Sequence, residues 1–429
     1  MTSATRIQLL DSLRGIALLG ILLINIPFFG LPYQFTDNIL LNNETGLNFD
    51  LWWSLNIWFE GTMRALFSIL FGASNLLLIH NLEEKKKIQS PAAIYYRRLL
   101  WLWIFGLANA YILLWPGDIL CTYAIAGIFL FPLRKLKPIW LLLMGLIVML
   151  ISTMIITLDF YDKKYLRERG EQAIVIEKQN GNLNEEQKTA KYEWITYTNE
   201  NNRDALIGQA NQTIESMSGG YADALRYVIP VNFEIQTDFF VSLMFWDALC
   251  FFLIGMAFFK WGLLTGELSK LFYWVMLIGG YSIGLWIGNN YLNSLLDAKF
   301  DRTLLADRMG WDLYQLKRLF MCMGHIGLII LLYKYGLFKR AFNALAKVGQ
   351  MAFTNYLMQS ILCGFIFHGY GFGLFGQLQR YELYFIMASI WIIQIIFSNY
   401  WLKHHRYGPL EWLWRWLIYW GKMPRSALG

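Results

Sequence analysis

Apolar residues in this chain fall in long continuous blocks, not in the 3.6-residue stripes of a soluble amphipathic helix. Ten blocks have the makings of membrane spans: 14–33, 60–81, 99–115, 119–134, 138–158, 239–259, 271–292, 317–334, 350–369 and 382–402. The fourth is short, about 16 residues against the usual 20 or so, and is read as tilted or re-entrant. The pattern predicts an all-α polytopic helix bundle forming one transmembrane domain over residues 1–429. The first block is too long, and too free of a small-residue cleavage site, for a removable signal peptide, and is expected to persist as the first helix.

Polar segments between the blocks alternate in charge. "EEKKKIQSPAAIYYRR", "PLRKLK", "KWGLLTGELSK", "KYGLFKRAFNALAKVGQ" and "LKHHRYG" are basic, whereas 34–50, "WPGD" and "GYGFGLFGQLQRYE" hold almost no Lys or Arg. That alternation predicts cytoplasmic termini. It also puts residues 160–238, the one long polar insert, outside, either as a lid of solvent-facing helices or as a spacer. Residues 293–316 form a second, amphipathic external segment. The Trp-rich stretch 408–420 reads as an interfacial helix. Five spans on each side of the insert give halves of opposite orientation, the arrangement of inverted-repeat transporters.

Composition narrows the classes. Hydrophobic residues make up 56% and charged residues 16%, which removes a soluble multidomain protein. The net charge of +7 lies largely in the basic loops, so topology accounts for it and no nucleic-acid partner is expected. Cys121, Cys250, Cys322 and Cys363 sit singly in apolar blocks without metal-ligand spacing, which predicts neither disulfide nor metal. No G-x-S-x-G, P-loop, H-E-x-x-H or Gly-rich dinucleotide motif occurs.

Polar residues inside apolar blocks are the candidates for chemistry, because a charge at mid-membrane costs about 2.5–3.5 kcal/mol on insertion scales. Arg14 and Asn25 lie on one face of the first span, about 16 Å apart along the axis. Glu60 and Arg64, at i and i+4, suit either a helix-docking ion pair or a substrate-facing Arg64. Asp118, after the Pro-Gly break of "LLWPGDIL", suits a helix cap or a proton-transfer role. Asp247 has no partner on its own helix and must meet a cation elsewhere or be protonated. His325 suits an interhelical hydrogen bond or catalysis. Asn355 and Gln359 share a face of the ninth span, either as glue between helices or as substrate contacts.

"LDSLRGIALLGILLINI", "RALFSILFGAS", "LLWPGDILCTYAIAG", "LIGMAFFKWG", "GQMAFTNYLMQS" and "GPLEWLWRWLIY" together resemble the YeiB-like family of bacterial membrane proteins, a family of unknown function. They run from Leu10 to Tyr419, effectively the whole chain. The resemblance implies a multi-pass protein of the bacterial cytoplasmic (inner) membrane. The first helix is also similar to that of transmembrane acyltransferases, namely the acyltransferase-three family and the heparan-alpha-glucosaminide N-acetyltransferases. Those enzymes use cytoplasmic acyl-CoA to modify a sugar or envelope glycan across the membrane. Arg14 matches their opening arginine. Acyltransferase-three proteins carry histidine where this chain has Asn25; the N-acetyltransferases have Asn there and a histidine in the next loop, and 33–59 contains none. YeiB-like relatives commonly show histidine where "GLAN" places Asn109.

Two readings follow. In the first, an acyltransferase, Arg14 and Arg64 neutralise an anionic donor or substrate, Asn25 and Asn109 donate hydrogen bonds, and Asp118, Asp247 or His325 is the base. Acyl-CoA is then the donor, and an envelope glycan or small molecule the acceptor. In the second, a transporter or permease, the same groups line a midplane site. Both have membrane lipids as neighbours.

Overall fold

The computed structural model describes residues 3–84, 90–179 and 181–420. Among these residues all the regular structure is helical, as the blocks predict. The first part runs α1 (Ser3–Gly30), α2 (Tyr33–Asp37), α3 (Leu47–Trp58), α4 (Thr62–Glu84), α5 (Pro91–Tyr111), α6 (Leu120–Gly127) and α7 (Leu130–Leu133). The insert follows as the end of α8 (Pro138–Lys178), α9 (Glu185–Asn201), α10 (Arg203–Ser218) and α11 (Tyr221–Glu234). Wider π-helical turns over Ile235–Met244 lead into α12 (Phe245–Lys260). The remainder is α13 (Lys270–Asp297), α14 (Arg302–Arg308), α15 (Tyr314–Lys334), α16 (Lys339–Gln350), α17 (Ala352–Phe367), α18 (Arg380–His404) and α19 (Pro409–Ile418).

Among the described residues seven helical stretches are long and apolar enough to cross a membrane: Gln8–Gly30, Leu47–Glu84, Pro138–Lys178, Tyr221–Lys260, Lys270–Asp297, Tyr314–Lys334 and Arg380–His404. Three sequence blocks fall short of that measure. Block 119–134 is broken after Gly127 into α6 and α7, with Pro132 unable to continue a regular helix. Block 350–369 turns at Met351 and leaves the 16-residue α17. Block 99–115 begins inside α5, whose first turns hold Arg97 and Arg98, and unwinds before Trp115.

Small residues let the helices close on one another. A Cβ on Gly349 would lie 1.8 Å from the Asp11 carbonyl oxygen, and one on Gly15 2.1 Å from that of Leu345, so α1 and α16 meet backbone to backbone. Gly72 and Gly255 do the same for α4 and α12, with gaps of 2.2 and 2.0 Å to the Phe252 and Ile69 carbonyls. Around these crossings Leu13, Ala65, Leu66, Ile69, Phe251 and Ile254 are fully buried. The polar site described below sits above this packed floor.

The insert folds back over one end of the bundle. α8 has 41 residues, about 60 Å at 1.5 Å per residue, twice the ~30 Å hydrocarbon thickness, so its second half projects out. α9 returns along it. On α10, the Arg203 guanidinium donates to the carbonyls of Leu40 (3.1 Å) and Leu41 (3.2 Å), and Gln34 donates to Gln209 (3.2 Å). The Gly369 amide donates to the Met217 carbonyl (2.9 Å), and the Tyr221 hydroxyl to that of Ile112 (2.9 Å). The segment beneath is anchored by buried Arg380, which grips both Glu44 oxygens at 2.6 and 3.2 Å.

Candidate functional site

A charged network lies where α4, α12 and α15 converge. The chain reverses helix phase at Phe59–Gly61, and Gly61 takes φ +67°, a conformation glycine adopts without strain. A side chain there would also strike the Tyr314 hydroxyl and the Arg318 stem. This break undoes the i, i+4 pairing expected of Glu60 and Arg64, because the two no longer share one helix. Glu60 instead accepts from the Tyr314 hydroxyl (2.7 Å) and lies 3.5 Å from the Lys317 ammonium. Arg64 turns to Asp247, Nε to Oδ2 at 3.2 Å.

Asp247 meets its cations on other helices: Arg64 from α4 and Arg318 from α15, the latter through Oδ1. Arg318 is fully buried. It donates further to the Gly61 carbonyl (2.9 Å) and to Gln315 Oε1 (2.9 Å), while Gln315 donates to Ser152 (3.0 Å) on α8. Lys317 donates to the Asn56 carbonyl (2.7 Å) near the end of α3. Sequence reading missed Tyr314, Gln315, Lys317 and Arg318. A usable signal was present, since Lys317 and Arg318 open the eighth block at the end that the loop charges assign to the outside, against the positive-inside bias.

A second polar centre forms at the start of α6. The Asn109 amide donates to Asp118 Oδ1 (2.8 Å), and the Cys121 backbone N–H donates to Oδ2 (3.0 Å), so Asp118 caps the helix. The Tyr356 hydroxyl approaches Oδ1 at 3.4 Å and accepts from the Ile119 N–H at 3.2 Å. Burial pushes the Asp118 carboxyl up to about 6, against the opposing effect of its hydrogen bonds. Asn109 Oδ1 is buried with no hydrogen-bond partner among the described residues. Tyr123, one turn further along α6, joins the centres: its hydroxyl lies 2.5 Å from Ser68 Oγ and donates to the Arg64 carbonyl at 3.4 Å.

Two further carboxylates lie within electrostatic reach of Glu60. Asp37 on α2 faces Arg302 at 3.5 Å, and burial raises its carboxyl, with Glu60 adding to the rise and Arg302 opposing it. Asp312 is pushed up to about 6 by burial, and Glu60 again acts in the same direction. A groove of about 550 Å³ on α3 and α13, lined by Phe49, Asp50, Trp53, Ser54, Asn293 and Leu296, contains none of these groups.

The remaining candidates lie elsewhere. Arg14 is partly buried, paired with Asp11 and donating to Ser74 on α4 (3.1 Å). Nearby, Arg98 donates to Asn75 (2.6 Å) and covers Trp414 at 4.6 Å, within electrostatic reach of Arg14 and Arg415. Asn25 is half-buried further along α1. His325 uses both nitrogens: Nε2 donates to the Trp58 carbonyl (3.0 Å), which leaves Nδ1 to accept from Tyr281 (2.8 Å). Asn355 donates to Ser398 (2.9 Å), and Gln359 to Gln394 (3.2 Å), in a buried ladder joining α17 to α18. All four cysteines are buried.

Residues 258–421 match the model of a family described as Protein of unknown function (DUF418). Over 428 residues the chain is 29% identical to the uncharacterized protein YxaH of Bacillus subtilis (strain 168), covering 96% of this chain and 93% of that one. It is 27% identical over 437 residues to the uncharacterized protein YeiB of Escherichia coli (strain K12), covering 95% and 94%. The chain is thus similar to both proteins over nearly its whole length. A third relative, an uncharacterized 39.9 kDa protein of Bacillus acidopullulyticus, is 26% identical over 98% of this chain. No solved structure matches. The seven apolar helices and these relatives describe a membrane protein of unknown function. None of the three names carries an activity, so the acyltransferase likeness rests on the motifs.

Proposed function

We propose that this YeiB-like protein is a membrane acyltransferase of the bacterial inner membrane, moving an acyl group from cytoplasmic acyl-CoA to a hydroxyl of an envelope glycan or small molecule. The observation that carries the reading is the Asn109–Asp118 pair, a buried carboxyl raised to about 6 beside an unsatisfied amide oxygen. Such a group takes up protons near neutral pH, the property a general base needs. An acceptor hydroxyl donating directly to the Asp118 carboxylate would deliver its proton there as its oxygen forms a bond to the acyl carbon, while Asn109 Oδ1 accepts from a second hydroxyl or N–H of the same acceptor. The carbon–sulfur bond breaks, and the thiolate leaves toward the cytoplasm and is protonated there.

Donor binding falls to the inner end of the bundle. Arg14 and Arg415 both lie within electrostatic reach of Arg98, an arrangement polyphosphate charge would relieve. When bound, the donor supplies an activated thioester. Arg14 and its neighbours fix its phosphates, and the insert helices keep water from the Asp118 end.

A permease is the second reading, and one observation favours it. The Arg64–Asp247–Arg318 cluster places charges inside apolar helices, where transporters hold solutes. Thermal unfolding of the purified chain with acetyl-CoA separates the two. Acyl transfer predicts stabilisation by acetyl-CoA that Arg14→Gln weakens at least ten-fold in half-saturating concentration. An unchanged midpoint at millimolar acetyl-CoA rejects it.

A further inference from the structure

Arg64 and Arg318 share a single carboxylate. Lys317 is balanced where it stands, by Glu60 and by the carbonyls of Asn56 and Glu60. That leaves two guanidinium groups on Asp247, one of them fully buried. Arg318 Nη2 is buried with no acceptor among the described residues, although Gly61, Gln315 and Asp247 occupy its other donors. The centre is one anion short. Withdrawing an uncompensated charge from water is costly, and the usual remedy of losing a proton is closed to arginine.

The missing charge has a place to sit. Arg64 reaches Asp247 through Nε, and its side chain keeps 37% of its surface accessible. The rest of its guanidinium is therefore open to a ligand. Glu60, just across the Gly61 break and with 33% of its side chain accessible, is within electrostatic reach of Asp37, which pairs with Arg302. These carboxylates disfavour multiply charged ligands, and the deficit itself is one charge.

We propose that Arg64 and Arg318 form a binding site for a singly charged oxyanion, a carboxylate or phosphodiester group, entering from the outer side. Arg64 supplies the two-pronged donor edge that such groups match. The site stands whether or not the protein transfers acyl groups, since it uses neither Asp118 nor the inner arginines. The anion belongs either to a soluble molecule or to a lipid headgroup.

Two arms separate the sources. Purified full-length protein in uncharged maltoside micelles is unfolded thermally in sodium acetate or sodium dimethyl phosphate against sodium chloride of equal ionic strength. In parallel, it is unfolded in phosphatidylcholine nanodiscs with and without phosphatidylglycerol. A rise of several degrees in the first arm, lost in Arg64→Gln, assigns the site to a soluble oxyanion. The same rise in the second arm, lost in Arg64→Gln, assigns it to a lipid phosphodiester. Arg64→Lys keeps the charge without the fork and is expected to raise the half-saturating concentration at least ten-fold, which tests the site even if Arg64→Gln does not fold. No rise in either arm, or one that both variants retain in full, overturns the proposal.

Discussion

Asn109 and Asp118 close on each other from the two sides of the Trp115–Gly117 turn, amide Nδ2 to carboxylate Oδ1 at 2.8 Å. The contact fixes the carboxylate while the neighbouring Asn109 oxygen stays without a partner. Capping a helix and holding a proton near neutrality are thus combined in one side chain.

The Asp118 carboxyl, raised to about 6, makes stability and activity run in opposite directions with pH. An unfolded Asp titrates near 4, so the folded state binds more protons between about 4 and 6, and stability falls as pH rises through that window. The base is the ionised form, so transfer rises with pH through about 6 and then levels. Asp118→Asn is expected to flatten the stability profile between pH 4 and 6 and to lower transfer at least about 100-fold. Thermal unfolding and transfer rates from pH 4 to 8 check both.

Removing Asp247 strands two guanidinium groups, one fully buried. Breaking a buried ion pair from one side costs about 3–5 kcal/mol. Asp247→Asn is therefore expected to destabilise the fold far more than Arg64→Gln, which leaves Asp247 and Arg318 paired. Unfolding midpoints of the two variants measure the difference. Equal midpoints would contradict the shared-carboxylate arrangement.

Gly349 has no room for a methyl group beside the Asp11 carbonyl. Gly349→Ala should force α1 and α16 apart and cost about 1–3 kcal/mol or more, as overpacking does. Gly208 on α10 has open space around it, so Gly208→Ala serves as the control and should not destabilise the protein. Melting temperatures of the pair check the crossing.

Arg203 ties α10 to the carbonyls of Leu40 and Leu41. Arg203→Ala should speed amide exchange over 203–218 while leaving α4 and α12 unchanged, because those contacts are partly exposed and separate from the core. Hydrogen exchange read by mass spectrometry gives the comparison.

The helical class was legible because lipid leaves the backbone no alternative to internal hydrogen bonding. The span pattern was less so. Block 119–134 is apolar enough, but Gly127 and Pro132 interrupt it, and hydropathy does not report a break in helix phase. Within the site, Asp247 was legible as a residue that needed a distant cation. Arg318 was not, because its position at a block end looked like an ordinary flank. Glu60 and Arg64 misled for a local reason: their spacing fits a helical pair only where the helix is continuous, and Gly61 interrupts it.

Acyl transfer itself is tested most directly with inside-out vesicles enriched in this protein and supplied with acyl-labelled acetyl-CoA. Label appearing in the lumenal glycan or small-molecule fraction is counted for wild type and for Asp118→Asn. The account predicts time-dependent lumenal label in wild type that falls at least about 100-fold in Asp118→Asn at pH 7 while Asp118→Asn still inserts and folds. Wild-type vesicles with no more lumenal label than empty ones, or equal label in the two proteins, would contradict it.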